Sequence, residues 1–379
     1  MKIGIDIRTL MDTRYSGVSE YAFNLVREIL KLDHDNEYRL FYNCFGDCPN
    51  MPRFSGDKVK VIKFNYPNKI FNYLLVKIFN YPKIDKELGV DAWFMPHINF
   101  IGLAGSARSI ITIHDLSFLR YPEFFSARKN FWHRLVNVKK LLKKFAVIVA
   151  VSENTKRDII ELCGVSEAKI KIIYPGLSAQ FFDRELINGQ AEAVRIKYDL
   201  PDKYILYLGT VEPRKNVEGI IRAYNEMRNK HHELSGVKLI IAGGKGWKSD
   251  NIYNERERSQ FKSGSQFFGH VADEDRACLY GLAKVFVYPS FYEGFGFPPL
   301  EAMAAGVPVV ASFAASLPEV VGGAALMVDP YNINEIARAL KETLTDENLR
   351  NKLINRGWER VKKFNWENTA RQYLEILTK

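Results

Sequence analysis

The sequence predicts an α/β protein with two parallel sheets, one in each of two domains. Three observations carry that expectation. Short apolar runs alternate with longer helical patterns, the whole series restarts near residue 204, and 379 residues suffice for about two domains. Strands separated by helices or long crossovers pack in parallel. The chain is 47% hydrophobic and 26% charged, which excludes a disordered chain.

In the first series, buried strands are expected at residues 2–7, 38–42, 59–64, 92–95, 109–113 and 147–151. A helix with one apolar face is expected at 18–32, and a long basic helix at 128–145. The second series places strands at 204–208, 238–242, 266–268, 285–288, 307–311 and 325–328. Its helices are expected at 217–230, 273–283, 299–305 and 333–343. Residues 176–201 are polar and lack long periodicity, so they read as the linker between domains 1–180 and 181–363. A last helix is expected at 366–377.

Several classes close early. The longest strongly apolar stretch, residues 145–151, is far short of the roughly 20 residues of a membrane span. Asp6 and Arg8 interrupt the apolar run a secretory leader would need, so the protein is expected in the cytoplasm. Cys44, Cys48, Cys163 and Cys278 complete no zinc pattern and are expected as four reduced thiols. Lys and Arg number 54 against 44 acids, a surplus of +10 that invites an anionic partner.

The densest chemical signal is VFVYPSFYEGFGFPPLEAMAAGVP, residues 285–308. A strand ends at Tyr288, a glycine-containing loop runs from Glu293 through Gly294, Phe295, Gly296 and Phe297, and Pro298-Pro299 open a helix. Helix N-termini offer free N–H groups to anions, and the glycines let the backbone approach a ligand. Glu293 and Glu301 bracket the loop and suit sugar or ribose hydroxyls. Glu301 is placed in the first helical turn; a strand–helix turn with one capping Glu is the plainer alternative.

The second signal is YLGTVEPRKNVEGIIRAY, residues 207–224. After the strand end at Gly209, Arg214 and Lys215 stand where a forked guanidinium and a point charge can neutralise a diphosphate. They would stabilise the charge that develops on a leaving nucleoside diphosphate. The third is SIITIHDL, which delivers His114 and Asp115 at a strand's carboxyl end. Gly17, in TRYSGVS, can bring backbone N–H groups to phosphates or acceptor. Ser152 and Asn154 are weaker acceptor candidates. GGKG at 243–246 lacks the spacing of a P-loop and reads as a tight turn.

The spacing Glu293-x7-Glu301 within EGFGFPPLEAMAAGVPVV resembles the motif of family 4 retaining glycosyltransferases of the GT-B fold. The resemblance implies that Glu293 contacts the donor sugar, Glu301 binds the nucleoside ribose, and the amides of Gly294–Phe297 face sugar and diphosphate. It assigns Arg214 and Lys215 to the diphosphate and His114 to positioning the sugar. Through Gly269-His270-Val271, it places His270 and Val271 under the nucleobase. It also implies two Rossmann-like domains facing each other across a central cleft, the second binding the donor and the first the acceptor, and a terminal segment 364–379 that packs back on the first.

The motifs look like those of bacterial mannosyltransferases that build O-antigen or exopolysaccharide from GDP-mannose. Mannose from GDP-mannose, passed to a lipid-linked or oligosaccharide acceptor, is therefore the expected reaction. No metal or further cofactor is expected, because basic side chains neutralise the diphosphate. A UDP-sugar transferase with a soluble acceptor, like sucrose- or trehalose-phosphate synthase, and a non-catalytic nucleotide-sugar-binding protein are the alternatives. Residues 128–144 are rich in Lys and Arg, contain no acid, and carry a partial apolar face. An anionic membrane surface is the partner expected there, aided by the aromatics of 71–83, with peripheral attachment to the inner face of the cell membrane. A helix packed on the first sheet with a solvated basic face is the plainer reading. No nucleic-acid module is present.

Overall fold

Apolar runs form the central strands of the first unit, whose sheet has seven strands among the described residues. In this computed structural model they are β1 (Lys2–Asp6), β2 (Glu37–Asn43), β3 (Val59–Phe64), β4 (Ala92–Met95), β5 (Arg108–Ile113), β6 (Val147–Ala150) and β7 (Ile170–Ile172). All pairings are parallel, in the order β3-β2-β1-β4-β5-β6-β7. Ile3, Ile5, Phe94, Ile111 and Val149 are fully buried, as central strands covered by helices require. The structure describes residues 1–11 and 17–379; the side chain of Leu75 is also outside the description.

The second unit repeats the plan with β8 (Tyr204–Leu208), β9 (Lys238–Ala242), β10 (Ser265–Gly269), β11 (Val285–Tyr288), β12 (Val309–Ser312) and β13 (Ala325–Val328). Their order, β10-β9-β8-β11-β12-β13, is doubly wound and wholly parallel. Unit 1 comprises Met1–Arg120, Arg128–Gly176 and Phe364–Lys379; unit 2 comprises Tyr121–Ala127 and Leu177–Lys363. The short segment Tyr121–Ala127 groups with unit 2 through its aromatic side chains. Phe124 stacks on Phe291 (ring centroids 5.8 Å apart), and Trp247 Nε1 donates to the Phe124 carbonyl at 2.5 Å.

Four sequence expectations are corrected. The supposed linker contains a 15-residue helix, Arg184–Tyr198, capped by the Asp183 side chain and ended by left-handed Asp199. Only Ile187 and Val194 are buried along it, too sparse an apolar signal to reveal a period. The basic helix expected at 128–145 breaks into Ala127–Val136 and Val138–Leu142, because Asn137 adopts a left-handed conformation (φ 51°) and caps the second piece. Its apolar residues Val136, Leu141 and Leu142 face the core, as in the plainer reading. Finally, Cys44 and Cys48 are joined as a disulfide, since the turn after β2 brings their Cα atoms to 6.5 Å; Cys163 and Cys278 are free and buried. Of the loop expected at 13–19, residues 13–16 lie outside the described part.

Unit 1 is closed by the chain's last helix, Trp366–Leu377. Its Tyr373 hydroxyl lies 2.7 Å from the Tyr21 hydroxyl of helix Gly17–Leu32 and 2.7 Å from Thr112 Oγ1 of β5, all three buried. Gly176, where the chain leaves the unit, packs against the backbone where it returns: a Cβ there would sit 2.3 Å from the Trp366 nitrogen. Buried hydroxyls stripped of a partner cost about 1–3 kcal/mol. Tyr373→Phe should therefore lower stability by about that amount, read as a fall in the urea midpoint; an unchanged midpoint would show that the hydroxyl network contributes nothing.

Candidate active site

The loops that matter follow β8 and β11. These strands are neighbours in the sheet, but the chain winds away from them in opposite directions, so the loops beyond their carboxyl ends diverge. Arg214 and Lys215 lie on the 3₁₀ turn Pro213–Lys215 after β8, and Glu293 lies in the loop after β11. The Glu293 carboxylate is gripped on both oxygens. Lys215 Nζ donates to Oε1 at 2.7 Å, and Arg214 Nη1 donates to Oε2 at 3.0 Å. Lys215 also donates to the Tyr288 hydroxyl at 2.5 Å. Arg214 is fixed further by Glu212 Oε1 (2.8 Å) and the Tyr292 carbonyl (2.7 Å).

Burial sets the electrostatics of this cluster. It would raise the Glu293 carboxyl, but the Lys215 and Arg214 charges override it and bring the pKa down to about 2. Burial also lowers the Lys215 ammonium below its usual range, with Glu293 pulling the other way. Two acids and two bases therefore compensate one another in a nearly dry site. Both cations are thereby held in place by the protein itself. Asn216 secures the turn from below. It is left-handed (φ 56°), and its amide donates to the Pro289 and Pro330 carbonyls at 3.1 and 2.7 Å.

The loop from Gly294 to Phe297 is shaped by Gly296. At φ +107° it takes a conformation other residues avoid, and a Cβ would meet Leu317 at 2.7 Å. Ser316 Oγ braces the loop against the carbonyl oxygens of Glu293 (2.9 Å) and Phe295 (2.7 Å). Helix Phe297–Ala304 then begins; Pro298 and Pro299 carry no N–H, so the leading backbone donor of the helix is the Phe297 amide. Glu301 falls just past the first turn, a correction of one residue arising because the helix starts at Phe297. It is 2% exposed, and both oxygens are held: Arg276 Nη2 donates at 2.6 Å and the Tyr280 hydroxyl at 2.8 Å.

Gly209 follows β8, and Gly243 follows β9 with φ +134°. A Cβ on Gly243 would lie 2.0 Å from the Gly209 carbonyl oxygen, so the glycines of this turn serve backbone contact between strand ends. His270, exposed, and Val271, buried, follow β10. Unit 2 thus gathers Arg214, Lys215 and Glu293 in direct contact, with Gly209, Gly294–Phe297, Glu301, His270 and Val271 at the same carboxyl edge of its sheet.

Unit 1 holds the remaining candidates. His114 follows β5, and its Nε2 lies 2.8 Å from the Pro96 carbonyl. A carbonyl only accepts, so Nε2 carries the proton; burial keeps the ring's pKa below its ordinary value, leaving Nδ1 as an acceptor. Tyr21 packs edge-on against the ring at 4.6 Å. Asp115 accepts from the Ser117 amide (3.0 Å) and hydroxyl (2.6 Å), a turn-forming role. Ser152 caps helix Glu153–Cys163 by accepting from the Thr155 amide at 3.0 Å. Gly17 is the exposed first residue of its helix.

Several residues escaped the sequence reading. Glu212 stands two positions before Arg214, and Arg276 and Tyr280 share a helix face by their i, i+4 spacing, a signal that only gains meaning beside Glu301. At the carboxyl edge of the first sheet, Asp6 and Arg8 form a buried ion pair at 2.6 Å. Buried His97 stands beside them; burial holds its pKa down to about 4 despite the Asp6 charge.

The Glu293 cluster leaves a pH signature on stability. Its carboxyl is depressed to about 2 in the folded chain, so its stabilising contribution is complete above the ordinary value of 4.5 and is lost as pH falls through about 2. Glu293→Gln should cost about 3–5 kcal/mol at neutral pH, because it strands buried cations, and the deficit should shrink toward about pH 3. Urea midpoints at the two pH values decide the matter; a deficit independent of pH would contradict the ion-paired description.

Comparison with known proteins converges on one family. Residues 191–360 match the family model for glycosyl transferases group 1, and residues 15–181 match that for Glycosyltransferase Family 4. The O-antigen chain mannosyltransferase B of Escherichia coli is 36% identical over 271 residues, covering 70% of this chain and 68% of that protein. The serotype-specific mannosyltransferase WbdA of Escherichia coli is 31% identical over 278 residues, and the match spans 33% of its length. Among solved structures, sucrose-phosphate synthase from Thermosynechococcus elongatus superposes with a TM-score of 0.74 at 20% identity, covering 99% of this chain and 98% of that one. WaaG, a glycosyltransferase involved in lipopolysaccharide biosynthesis, gives 0.72 at 16% identity over 100% of both chains. With two parallel-sheet, Rossmann-like domains and matches across both halves, the chain belongs to the family 4 glycosyltransferases of the GT-B fold.

Proposed function

We propose that this glycosyltransferase moves mannose from GDP-mannose, with retention of anomeric configuration, to a hydroxyl of a lipid-linked or oligosaccharide acceptor in O-antigen-type polysaccharide synthesis. The observation that carries the chemistry is the buried Arg214–Glu293–Lys215 cluster at the switch point of unit 2. The mannosyl choice rests on the curated relatives, which are named as O-antigen mannosyltransferases. The sucrose-phosphate synthase likeness is one of fold and favours no donor.

In this reading, the donor diphosphate lies against the loop amides that lead into helix Phe297–Ala304, within reach of Arg214 and Lys215. As the glycosidic C–O bond breaks, negative charge grows on the leaving phosphate. The two cations take it up, Arg214 through a forked guanidinium and Lys215 as a point charge. Glu293 keeps both in position and accepts from a sugar hydroxyl. Glu301, steadied by Arg276 and Tyr280, accepts from the ribose hydroxyls. His114 Nδ1 suits a hydroxyl of the sugar. The acceptor oxygen attacks on the face the nucleotide leaves, and its proton passes to the departing phosphate, so no enzyme nucleophile is required. Neither a metal ion nor a further cofactor enters this scheme; the donor is the nucleotide sugar itself.

Incubation with GDP-mannose, UDP-glucose or UDP-GlcNAc and a lipid-linked acceptor, following nucleotide release, should give turnover with GDP-mannose above the others. Turnover confined to a UDP-sugar would refute the donor assignment. Lys215→Ala should lower kcat by about 10²–10³-fold, the size expected for losing a charge that acts on the leaving group. Because Glu293 raises the Lys215 pKa against burial, Glu293→Gln should also move the alkaline limb of residual activity to lower pH. A limb that stays in place would separate Lys215 from that limb.

A further inference from the structure

Exposed large apolar side chains are concentrated on one short element of unit 1. Residues Ile70–Ile78 form a π-helical segment, closed by the Phe79 amide donating to the Leu74 carbonyl at 3.2 Å. Phe71 and Val76 are buried and anchor it to the core. Ile70, Tyr73 and Leu74 lie in the open, and Ile78 and Phe79 are 67% and 65% exposed. Leaving such side chains in water is unfavourable, and a contiguous group of them marks an interaction surface.

The surroundings of this group are cationic. The stretches 58–84 and 124–152 contain no Asp or Glu. Contacts place the two stretches side by side. Tyr73 packs on Phe100 (5.3 Å), Phe100 packs on Trp132 (6.1 Å), and Lys77 Nζ donates to the Leu135 carbonyl. Lys144 Nζ donates to the Ile101 carbonyl at 2.9 Å, and Lys83 Nζ to the Leu103 carbonyl at 3.3 Å. Burial lowers the Lys144 pKa, and the nearby charges of Lys83 and Lys77 lower it further. Phe131, 60% exposed, rises from the helix Ala127–Val136, on which Val136 is buried and Trp132 and Leu135 are half-buried.

We infer that the exposed apolar face of residues 70–79, with Phe131 and its rim of Lys77, Lys83 and Lys144, is a docking surface for an anionic lipid bilayer. Apolar side chains enter the boundary between headgroups and acyl chains, while the lysines stay at the level of the lipid phosphates. A second copy of the chain is the poorer occupant, because its own lysine rim would repel this one. The anchor is thus carried chiefly by residues 70–79. The basic helix at 127–136 supplies charge and one aromatic side chain, where the sequence pattern had given it the whole role. No helix among the described residues is long and apolar enough to cross a membrane, so this attachment is peripheral.

Vesicle flotation tests this surface without turnover, so failure of the donor assay and failure of docking are separate results. The protein should float with phosphatidylcholine vesicles containing phosphatidylglycerol, bind pure phosphatidylcholine far less, and be released by salt. Ile78→Glu combined with Phe79→Ser, both exposed and outside the site, should reduce partitioning by about tenfold or more while circular dichroism and activity on a water-soluble acceptor stay unchanged. Lys69→Glu, at an exposed position beside the segment, should weaken binding to the anionic vesicles alone. Absence of wild-type flotation, or equal flotation of the double variant, would overturn the proposal. So would light scattering that shows a dimer which the double variant dissociates.

Discussion

A lysine ammonium buried in a protein must find a carboxylate, and much of the architecture of unit 2 follows from that requirement at Lys215. Its partner, Glu293, lies 78 positions away in sequence and arrives only because β8 and β11 are adjacent. Asn216 supplies the left-handed residue that turns the chain after Lys215, and Gly219 leaves room for it, since a Cβ there would meet the Asn216 side chain at 2.3 Å. Gly296 and Ser316 shape the loop that presents Glu293. Charge pairing, strand order and loop conformation are therefore one constraint seen at three scales.

That constraint also explains how two cations stay charged in a buried site. Isolated buried cations would shift their pKa values and neutralise, or keep water in the site. Shared between Arg214 and Lys215, Glu293 prevents both. The same device recurs at Glu301, whose two oxygens are occupied by Arg276 and Tyr280. Each acid expected to meet a hydroxyl of the donor is thus oriented by the protein before any hydroxyl arrives, which lowers the reorganisation needed on binding.

Most strands were legible in the sequence because a fully buried parallel strand is apolar throughout: 285–288 (VFVY) and 204–208 (YILYL) are apolar runs of strand length. The site was legible where glycines, prolines and acids crowd one loop. What stayed hidden depends on tertiary contact. Arg184–Tyr198 buries only two apolar residues and so looks like a linker, Asn137 breaks a helix whose composition gives no warning, and the Cys44–Cys48 bond depends on how a turn closes. Glu212, Arg276 and Tyr280 are ordinary helix or loop residues until the fold sets them against Arg214 and Glu301. The exposure of Ile78 and Phe79 likewise could not be read from the sequence, where an apolar segment has the same pattern whether it is core or surface.

The central claim is that Lys215 and Arg214, held by Glu293, form a site for a nucleoside diphosphate. Calorimetric titration with GDP and with GMP tests it most directly, because the two ligands differ by one phosphate. The wild-type protein should bind GDP well above GMP, and Lys215→Met should lose most of that preference while retaining its affinity for GMP. A Lys215→Met protein that still discriminates between the two ligands as the wild type does would contradict the account.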